Sequence, residues 1–465
     1  MDDFGIVILA AGQGTRLKLP VPKPLAPVVG RKLIDFSIRA GADFLAQNNR
    51  KGDIALVLGH QKELIQNHLE SSWKKANLEI AIQKEQRGTA DALKAYFNDT
   101  KNAKDRVYTI VLCADTPLIT SHEVSKLVNI LENESLDGVA ATFIETNPTG
   151  YGRIERSEKG FQIVEEKDAN ETQKQITEVN SGLYILKTEY ILNHLNNLDS
   201  NNKSNEFYLT DLFKKDRNVK AITFNDKDPF VGVNTLEQLQ YVNHKLRLRI
   251  AAKAMSLGVF IISPEQTWID DTVTLNEGVK IYPGCILEGE TEIGAGAVLE
   301  AGVVIKNSKI GSHSKILAYS YLESAQVGEQ TSIGPFARLR EGTVIGQGSK
   351  IGNFVETKKA ELGNDVKVSH LSYVGDAKIG DRTNIGCGFI TCNYDGANKN
   401  LTTIGADSFI GSDSQMIAPV TIGDQCYVAS GSTINQDLES GDFAIARSKQ
   451  VTKKGMAKRF IKTKK

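Results

Sequence analysis

The sequence predicts an α/β domain on a mostly parallel sheet, followed by a parallel β-helix of hexapeptide repeats. Three observations carry that prediction. Up to about residue 235, short apolar runs alternate with stretches of helical spacing. Beyond Ile293 the aliphatic residues recur every six positions. The length, 465 residues, asks for two or three domains at roughly 150 residues each.

In the first part, Ile6-Val7-Ile8-Leu9, Ile54 to Leu58 and Val107 to Leu112 read as strands buried on both faces. Lys32 to Phe44 and Lys62 to Leu69 have helical spacing between them, the grammar of an α/β domain. Thr235-Leu236-Glu237-Gln238 then opens a helix with a capping-box pattern, and Leu239, Val242, Leu246 and Ile250 carry one apolar stripe towards Leu257. The expected division is 1–234, a linker helix over 235–257, and 258–465.

The second part repeats with a step of six. Ile293, Leu299, Ile305, Ile310, Ile316 and Leu322 begin the series, and Ile404, Ile410, Met416, Ile422, Val428 and Ile434 close it. No helix or flat sheet has that period. In a parallel β-helix each hexapeptide makes one short side, the aliphatic residue points inward, and the Gly that often follows is expected to turn the corner.

Composition excludes several classes. Hydrophobic residues are 40% and charged residues 24%, so disorder is not the main state. No apolar run reaches the roughly 18 residues of a membrane span, and no signal peptide opens the chain, so a cytoplasmic protein without membrane insertion is expected. Fifty-six basic and 56 acidic residues cancel, giving no field that favours nucleic acid. After Asp442 there are nine Lys or Arg and no acid. By default that tail is a solvated terminus. Five cysteines without a C-x-x-C pair fit reduced thiols.

The chemistry starts at Leu9-Ala10-Ala11-Gly12-Gln13-Gly14-Thr15-Arg16, directly after the first strand. Gly12 and Gly14 permit a tight turn whose N–H groups face a phosphate, and Arg16 supplies a cation. Alone, an ordinary strand-to-helix turn fits better. Lys23 stands between two prolines on a stiffened segment, and Asp115 ends the strand in Leu112-Cys113-Ala114-Asp115-Thr116-Pro117. A strand-end carboxylate suits Mg²⁺, though a turn-former before Pro117 fits Asp115 equally well. Together the three elements resemble the sugar-1-phosphate nucleotidyltransferase family, whose members attack the α-phosphate of a nucleoside triphosphate and release pyrophosphate.

Gln83-Lys84-Glu85-Gln86-Arg87-Gly88-Thr89-Ala90 narrows the resemblance to the bifunctional bacterial family that makes UDP-N-acetylglucosamine. Thr149 to Ile154, Val164 to Asp168, Val179 to Gly182 and Gly232 to Asn234 are similar to that family as well. The resemblance implies a Rossmann-like nucleotidyltransferase domain in which Arg16 and Lys23 are catalytic. Leu9, Ala10, Ala11, Gly12, Lys23, Cys113, Ala114 and Asp115 would line the UTP site, with Gln83, Gly88 and Thr89 on the uridine. Gly152, Glu165 and Asn180 would contact the acetylated sugar, and Asp115 and Asn234 would hold Mg²⁺. Two departures stand out. Val21-Pro22 intervenes before Lys23 and is placed to shift its loop, and Cys113-Ala114 replaces the usual Tyr-Gly.

The later segments Gly334 to Arg340, Asn353 to Lys359, Ser369 to Tyr373 and Thr391 to Lys399 resemble the acetyltransferase half of the same family. That implies a left-handed parallel β-helix using acetyl-CoA as co-substrate. His370 would be the general base for the glucosamine amine, a role suited to a near-neutral pKa. Arg340, Lys358, Tyr373 and Asn384 would bind glucosamine 1-phosphate. Cys387, Asn393, Tyr394, Ser412, Ser430 and Arg447 would line the acetyl-CoA path, with Cys387 as packing rather than nucleophile. The family also implies a homotrimer with the acetyl-CoA site between subunits, and small-molecule substrates: UTP, glucosamine 1-phosphate, N-acetylglucosamine 1-phosphate and acetyl-CoA. Two alternatives stay open at this point, a related enzyme for another sugar or nucleotide and a non-catalytic scaffold of the same architecture.

Overall fold

A computed structural model of the chain describes residues 3–12, 14–47 and 49–461, without the side chain of Thr15. It separates into two compact units, residues 1–246 and 247–465.

In the first unit the strands and α-helices run β1 (Asp3–Ala10), β2 (Pro27–Val28), β3 (Arg31–Lys32), α1 (Leu33–Gln47), β4 (Lys51–Leu58), α2 (Lys62–Ser72), β5 (Leu78–Ile82) and α3 (Thr89–Asp99). There follow β6 (Tyr108–Cys113), α4 (Ser121–Asn133), β7 (Gly138–Ile144), β8 (Arg153–Ser157), β9 (Gly160–Val164), α5 (Glu171–Lys174), β10 (Glu178–Lys187), α6 (Thr188–Leu195) and β11 (Val219–Phe224). Helix α7 (Leu236–Ser256) crosses the boundary between the units.

The main sheet has the order β11-β7-β10-β6-β1-β4-β5, with β8 and β9 hanging from β10. Strands β6, β1, β4 and β5 are parallel, and β10 runs antiparallel to β6 and β7. Side-chain alternation explains why these strands carry no polar face. Ile6, Ile8, Leu56, Leu58, Ile110 and Leu112 pack into one layer with Ile34 and Ile38 of α1 and Leu127 of α4. Val7, Val57 and Val111 face the opposite layer, against Leu93 of α3 and Ile191 of α6. Each such side chain contributes about 1.5–3 kcal/mol on burial. The chain leaves β1 towards β4 on one side and returns to β6 on the other. That makes the carboxyl ends of β1 and β6 a switch point, where open α/β sheets leave a crevice.

The predicted start of α7 is present. Thr235 Oγ1 accepts from Gln238 N at 3.3 Å while Gln238 Oε1 accepts from Thr235 N at 3.1 Å.

The second unit is a stack of parallel coils whose strands form an 11-stranded sheet on one side and a 17-stranded sheet around the others. Ile281, Leu299, Ile316, Ile333, Ile351, Val368, Ile385, Ile410 and Val428 pair in sequence, one buried residue per coil. The step is 17 or 18 residues, three hexapeptide sides, until the 392–400 loop lengthens one coil.

Gly334, after the inward Ile333, is left-handed at φ 96° as expected of a corner, but most glycines that directly follow an inward residue have a different task. Gly311 does not turn the corner; the left-handed residue is His313, at φ 59°. A Cβ on Gly311 would lie 2.5 Å from backbone atoms of Gly328 and Glu329 in the next coil. Coil-to-coil contact therefore requires glycine there, while the left-handed corners are shared between other glycines, such as Gly296, Gly302 and Gly348, and polar side chains such as Gln330, Asp365 and Arg382.

Candidate functional site

The loops after β1, β5 and β6 meet at the carboxyl edge of the parallel strands. Leu9 pairs with Cys113, so the glycine loop and Asp115 leave neighbouring strands side by side. They enclose a cavity of about 350 Å³ lined by Leu9, Ala10, Ala11, Gly12, Lys23, Gln83, Gly88, Thr89, Cys113, Ala114 and Asp115. Pro24, Gln86, Ala92 and Glu206 complete the wall. Gln13 of the glycine loop lies outside the described residues.

The charged end of the cavity is built around one amide. Lys23 Nζ pairs with Asp115 Oδ2 and donates to Asn234 Oδ1 at 2.8 Å; Arg16 Nη2 donates to the same oxygen at 3.1 Å. Asn234 therefore belongs to this cluster, and the helix cap is its neighbour Thr235. Gly14, left-handed at φ 61°, is needed twice over, because a Cβ there would also come within 2.4 Å of Lys23 Cβ. The two-residue insertion forms part of a short turn, closed by Leu25 N donating to Pro22 O at 2.8 Å, and Lys23 still reaches Asp115.

Asp115 and Asn234 offer hard oxygen donors of the kind Mg²⁺ takes. Gly232 keeps the space beside them open, since a Cβ there would sit 3.8 Å from Asp115 Oδ2 and 3.7 Å from Asn234 Nδ2. Among the described residues no group of three or more His, Cys, Asp or Glu is arranged for a metal. A site of two protein oxygens completed by phosphates and water fits Mg²⁺.

The other end presents one fixed hydrogen-bond acceptor. Gln83 is buried, and its Nε2 donates to Gly88 O at 3.0 Å and to Asp91 Oδ2 at 3.1 Å. Both amide protons are spent, which leaves Oε1 as an acceptor. Gly88 has φ 114°, and a Cβ would strike the backbone of Phe207 at 2.5 Å. Phe207 N donates to Arg87 O at 2.7 Å and Ala90 N to Phe207 O at 2.9 Å, a backbone clamp that brings Glu206 to the cavity.

Gly152, Glu165 and Asn180 form a second, adjoining group. Asn180 N donates to Gly152 O at 2.9 Å, and a Cβ on Gly152 would lie 3.6 Å from Glu165 Oε1. Thr210 Oγ1 donates to that oxygen at 2.9 Å, and Asn180 Nδ2 donates to Tyr184 Oη at 2.6 Å. Burial raises the Glu165 carboxyl above its ordinary range, opposed by Thr210 and reinforced by Asp211, Asp168 and Glu206. Cys113 connects the groups, its Sγ 3.8 Å from Gly182 O. Burial, then the charge of Asp115, push the Cys113 thiol up to about 12 against the opposing Lys23, so it stays protonated.

On the β-helix the expected residues fall into sets. Arg340 lies one coil below Lys358, which pairs with Gly375. Tyr373 lies close over Gly375, its ring within 2.7 Å of where a Cβ would be. Arg340 Nη1 donates to Glu356 Oε1 at 2.8 Å. His370, exposed at the end of its strand, pairs with Asn353 of the coil below, and His370 Nδ1 is 2.8 Å from Asn353 Oδ1. An amide oxygen only accepts, so Nδ1 carries the proton and Nε2 presents a lone pair. Cys387, Ser412 and Ser430 continue up the coils: Asp413 N donates to Cys387 O at 2.7 Å, and Gly431 N to Ser412 O at 2.8 Å. Arg447 Nη1 donates to Ser430 O of its own chain at 2.7 Å.

Of the remaining three, Asn384 starts a strand of the 11-stranded sheet, next to that of His370 and opposite Lys367. Asn393 is buried and gives its amide to Asp376. Tyr394 folds back onto its loop, donating to Gly396 O at 2.6 Å with Lys399 Nζ 4.3 Å over its ring. In that loop, amides of Asn398 and Ala397 draw the Asp395 carboxyl down to about 2.

Known proteins share both halves. Residues 6–309 match the nucleotidyl transferase family, residues 269–355 the GMPPB C-terminal domain, and residues 401–436 the bacterial transferase hexapeptide (six repeats). The chain is 42% identical to the bifunctional protein GlmU of Clostridium novyi (strain NT), over 98% of this chain and 99% of the relative. It is 41% identical to that of Trichlorobacter lovleyi over 97% of each, and 38% to that of Pelobacter propionicus over 99% and 100%. The chain belongs to the bifunctional GlmU family.

As a GlmU-family transferase it has a nucleotidyltransferase half and a left-handed parallel β-helix of hexapeptide repeats. Several residues at these sites carried no role in the sequence reading. Asn353 sits 17 positions before His370, one coil, and the hexapeptide step would have found it. Gln86, whose Nε2 donates to Ala11 O at 2.7 Å, lay inside a recognised segment. Glu206, Thr210 and Tyr184 gave no local signal. Among the described residues no helix is long and apolar enough to cross a membrane.

Proposed function

We propose that the two units of this GlmU-family chain catalyse consecutive reactions. The C-terminal unit, through its domain 258–465, acetylates glucosamine 1-phosphate with acetyl-CoA. The N-terminal unit, through its domain 1–234, couples the resulting N-acetylglucosamine 1-phosphate to UTP, releasing pyrophosphate and UDP-N-acetylglucosamine, with 235–257 as linker helix. The observation that carries the reading is the cavity with Lys23 and Asp115 at one end, Asn234 and Arg16 joined to them by hydrogen bonds, and a fixed acceptor, Gln83 Oε1, at the other. Uracil presents an N–H to such an acceptor, where cytosine presents a lone pair.

In uridylyl transfer a sugar-phosphate oxygen bonds to the α-phosphorus of UTP as the bond to the pyrophosphate oxygen breaks. Attack of one anion on another needs charge neutralisation and in-line positioning, which Arg16 and Lys23 supply without a general base. Mg²⁺, when held by Asp115 and Asn234, neutralises further phosphate charge. Gly152, Glu165 and Asn180 orient the acetylated sugar, and the Glu165 carboxylate accepts from a sugar hydroxyl.

In acetyl transfer the glucosamine nitrogen attacks the thioester carbonyl. His370 Nε2 takes the amine proton, and the CoA thiolate leaves. Arg340 and Lys358, one coil apart, hold the sugar phosphate, with Tyr373 and Asn384 on the sugar. Ser412, Ser430 and Arg447 lie along the acetyl-CoA path, with Cys387 as packing and Asn393 and Tyr394 in the adjoining loop.

The working unit is a homotrimer. Tyr319, Phe336 and Phe354 stack at 5.5 Å on an exposed corner that continues to Leu371, beside His370. An exposed apolar ladder of this kind supports association. The subunits would meet there, with the acetyl-CoA site in the groove between them. Sedimentation equilibrium should give three times the 50.9 kDa chain mass. The setting is cytoplasmic, in keeping with five free cysteines.

Purified protein given glucosamine 1-phosphate, acetyl-CoA, UTP and Mg²⁺ should yield UDP-N-acetylglucosamine, free CoA and pyrophosphate. Product formed instead from glucose 1-phosphate, with no CoA released, would replace this reading with the different-sugar alternative.

A further inference from the structure

The two oxygens suited to a divalent ion already hold a cation of the protein's own. Lys23 Nζ is in ion-pair contact with Asp115 Oδ2 and donates to Asn234 Oδ1 at 2.8 Å. The ammonium is well shielded, the Lys23 side chain being 13% exposed. Its stem is also fixed. Gly14 closes against Lys23 Cβ, and Leu25 N and Ala26 N donate back to Pro22 O and Lys23 O at 2.8 and 3.0 Å. One ammonium between a carboxylate and an amide oxygen uses the lone pairs that a metal would need. It also places a unit charge where a second cation would have to come.

We propose that Lys23 gates the metal site: its ammonium competes with the divalent ion for Asp115 and Asn234. The free protein then takes up the ion weakly. Nucleotide phosphates draw Lys23 onto themselves and release the oxygen pair to the ion they carry, so metal and nucleotide enter together. The exchange is inexpensive because Lys23 leaves one anion for another, and Arg16, hydrogen-bonded to the same amide, can follow it. The identity of the displacing anion rests on the uridylyl-transfer reading; the competition itself concerns only Lys23, Asp115 and Asn234.

The test uses the full-length protein without nucleotide or sugar. Mn²⁺ serves as the probe, and free Mn²⁺ is counted by its electron paramagnetic resonance signal. Lys23→Met should bind Mn²⁺ about 10- to 1,000-fold more tightly than wild type, the range over which a cation in ion-pair contact shifts proton binding at a carboxylate. Lys23→Arg, which keeps the charge, should stay near wild type. Adding Asp115→Asn to Lys23→Met should abolish the gain. If Lys23→Met does not fold by circular dichroism, Lys23→Gln, neutral but able to hydrogen-bond, should show the same tightening.

Equal Mn²⁺ affinity in wild type and the folded neutral variant overturns the proposal, as does a gain that survives Asp115→Asn. Absence of uridylyl transfer by the wild-type protein would instead sink the functional reading, and the substrate-free Mn²⁺ comparison would stand apart from it.

Discussion

Replacing Gln83 by methionine tests base recognition directly. The substitution keeps roughly the same volume but removes the fixed acceptor Oε1, and with it the donors to Gly88 O and Asp91 Oδ2 at 3.0 and 3.1 Å. A buried hydrogen-bonding group left unmatched costs about 1–3 kcal/mol, which is about 5- to 150-fold in kcat/KM for UTP at 1.4 kcal/mol per tenfold. A comparable penalty falls on the fold at the start of α3, softened because Arg87 Nη2 still holds Asp91 Oδ1 at 2.9 Å. Pyrophosphate release should be followed with UTP and with CTP, alongside a thermal melt. The UTP rate should fall while the preference for UTP over CTP shrinks by a similar factor. Equal losses on both nucleotides would show that Gln83 only supports the loop, and the assignment of its oxygen to the base edge would fail.

The two chemistries should separate: His370→Ala should cost about 10²–10⁴-fold in acetyl transfer and nothing in uridylyl transfer, while Asp115→Asn should do the reverse, each read by its own product assay. Asn353→Ala, which frees His370 Nδ1, should lower acetyl transfer about fivefold to tenfold, one hydrogen bond's worth; its pH–rate profile should shift, and Asn353→Asp should restore most of the rate. Gly328→Ala should lower stability by about 1–3 kcal/mol, the cost of overpacking, because its Cβ would meet Gln347 N at 2.6 Å; a melt within error of wild type would refute that contact. Asp35, buried, is raised by desolvation but lowered further by donors from His68, Trp73 and the Lys32 amide, ending below its ordinary 3.8. The unfolded chain then protonates it first, so this stabilisation is complete above about pH 4 and lost as pH falls through the folded value; melts between pH 5 and 3 should fall less steeply in Asp35→Asn.

The α/β half was legible where it is local. Ile6 to Leu9 and Ile54 to Leu58 read as doubly buried strands because apolar runs of that length have no polar face to show, and they lie in opposite layers as strand geometry requires. The site was legible only through motifs. Lys23 is 92 residues from Asp115 and 211 from Asn234, and nothing in spacing brings them together; the sheet order does. Glu206 reaches the cavity through backbone hydrogen bonds of Phe207, whose N–H and C=O are the same in every residue and leave no mark in the sequence. The orientation of the Gln83 amide depends on Asp91 and Gly88 together, a three-body condition that residue type alone does not state.

The β-helix turns sequence distance into spatial distance, so more of its site was open to arithmetic than motif reading used. Residues 17 or 18 apart at matching positions become neighbours about 4.8 Å apart. Asn353 and His370 meet by this rule, and so do Arg340 and Lys358. The same rule explains what the glycines do: the spacing of six describes one coil, whereas the clash at Gly311 is with Gly328 and Glu329 in the next. It also bears on function. Two cations placed one coil apart repel when their charged ends approach. A fold optimised only for stability would not put them there. Glu356 accepts from Arg340 and offsets part of that repulsion. A bound phosphate monoester, with up to two negative charges, relieves the rest. On the proposed acetyl-transfer reading, relief of that repulsion would favour a sugar phosphate beside His370.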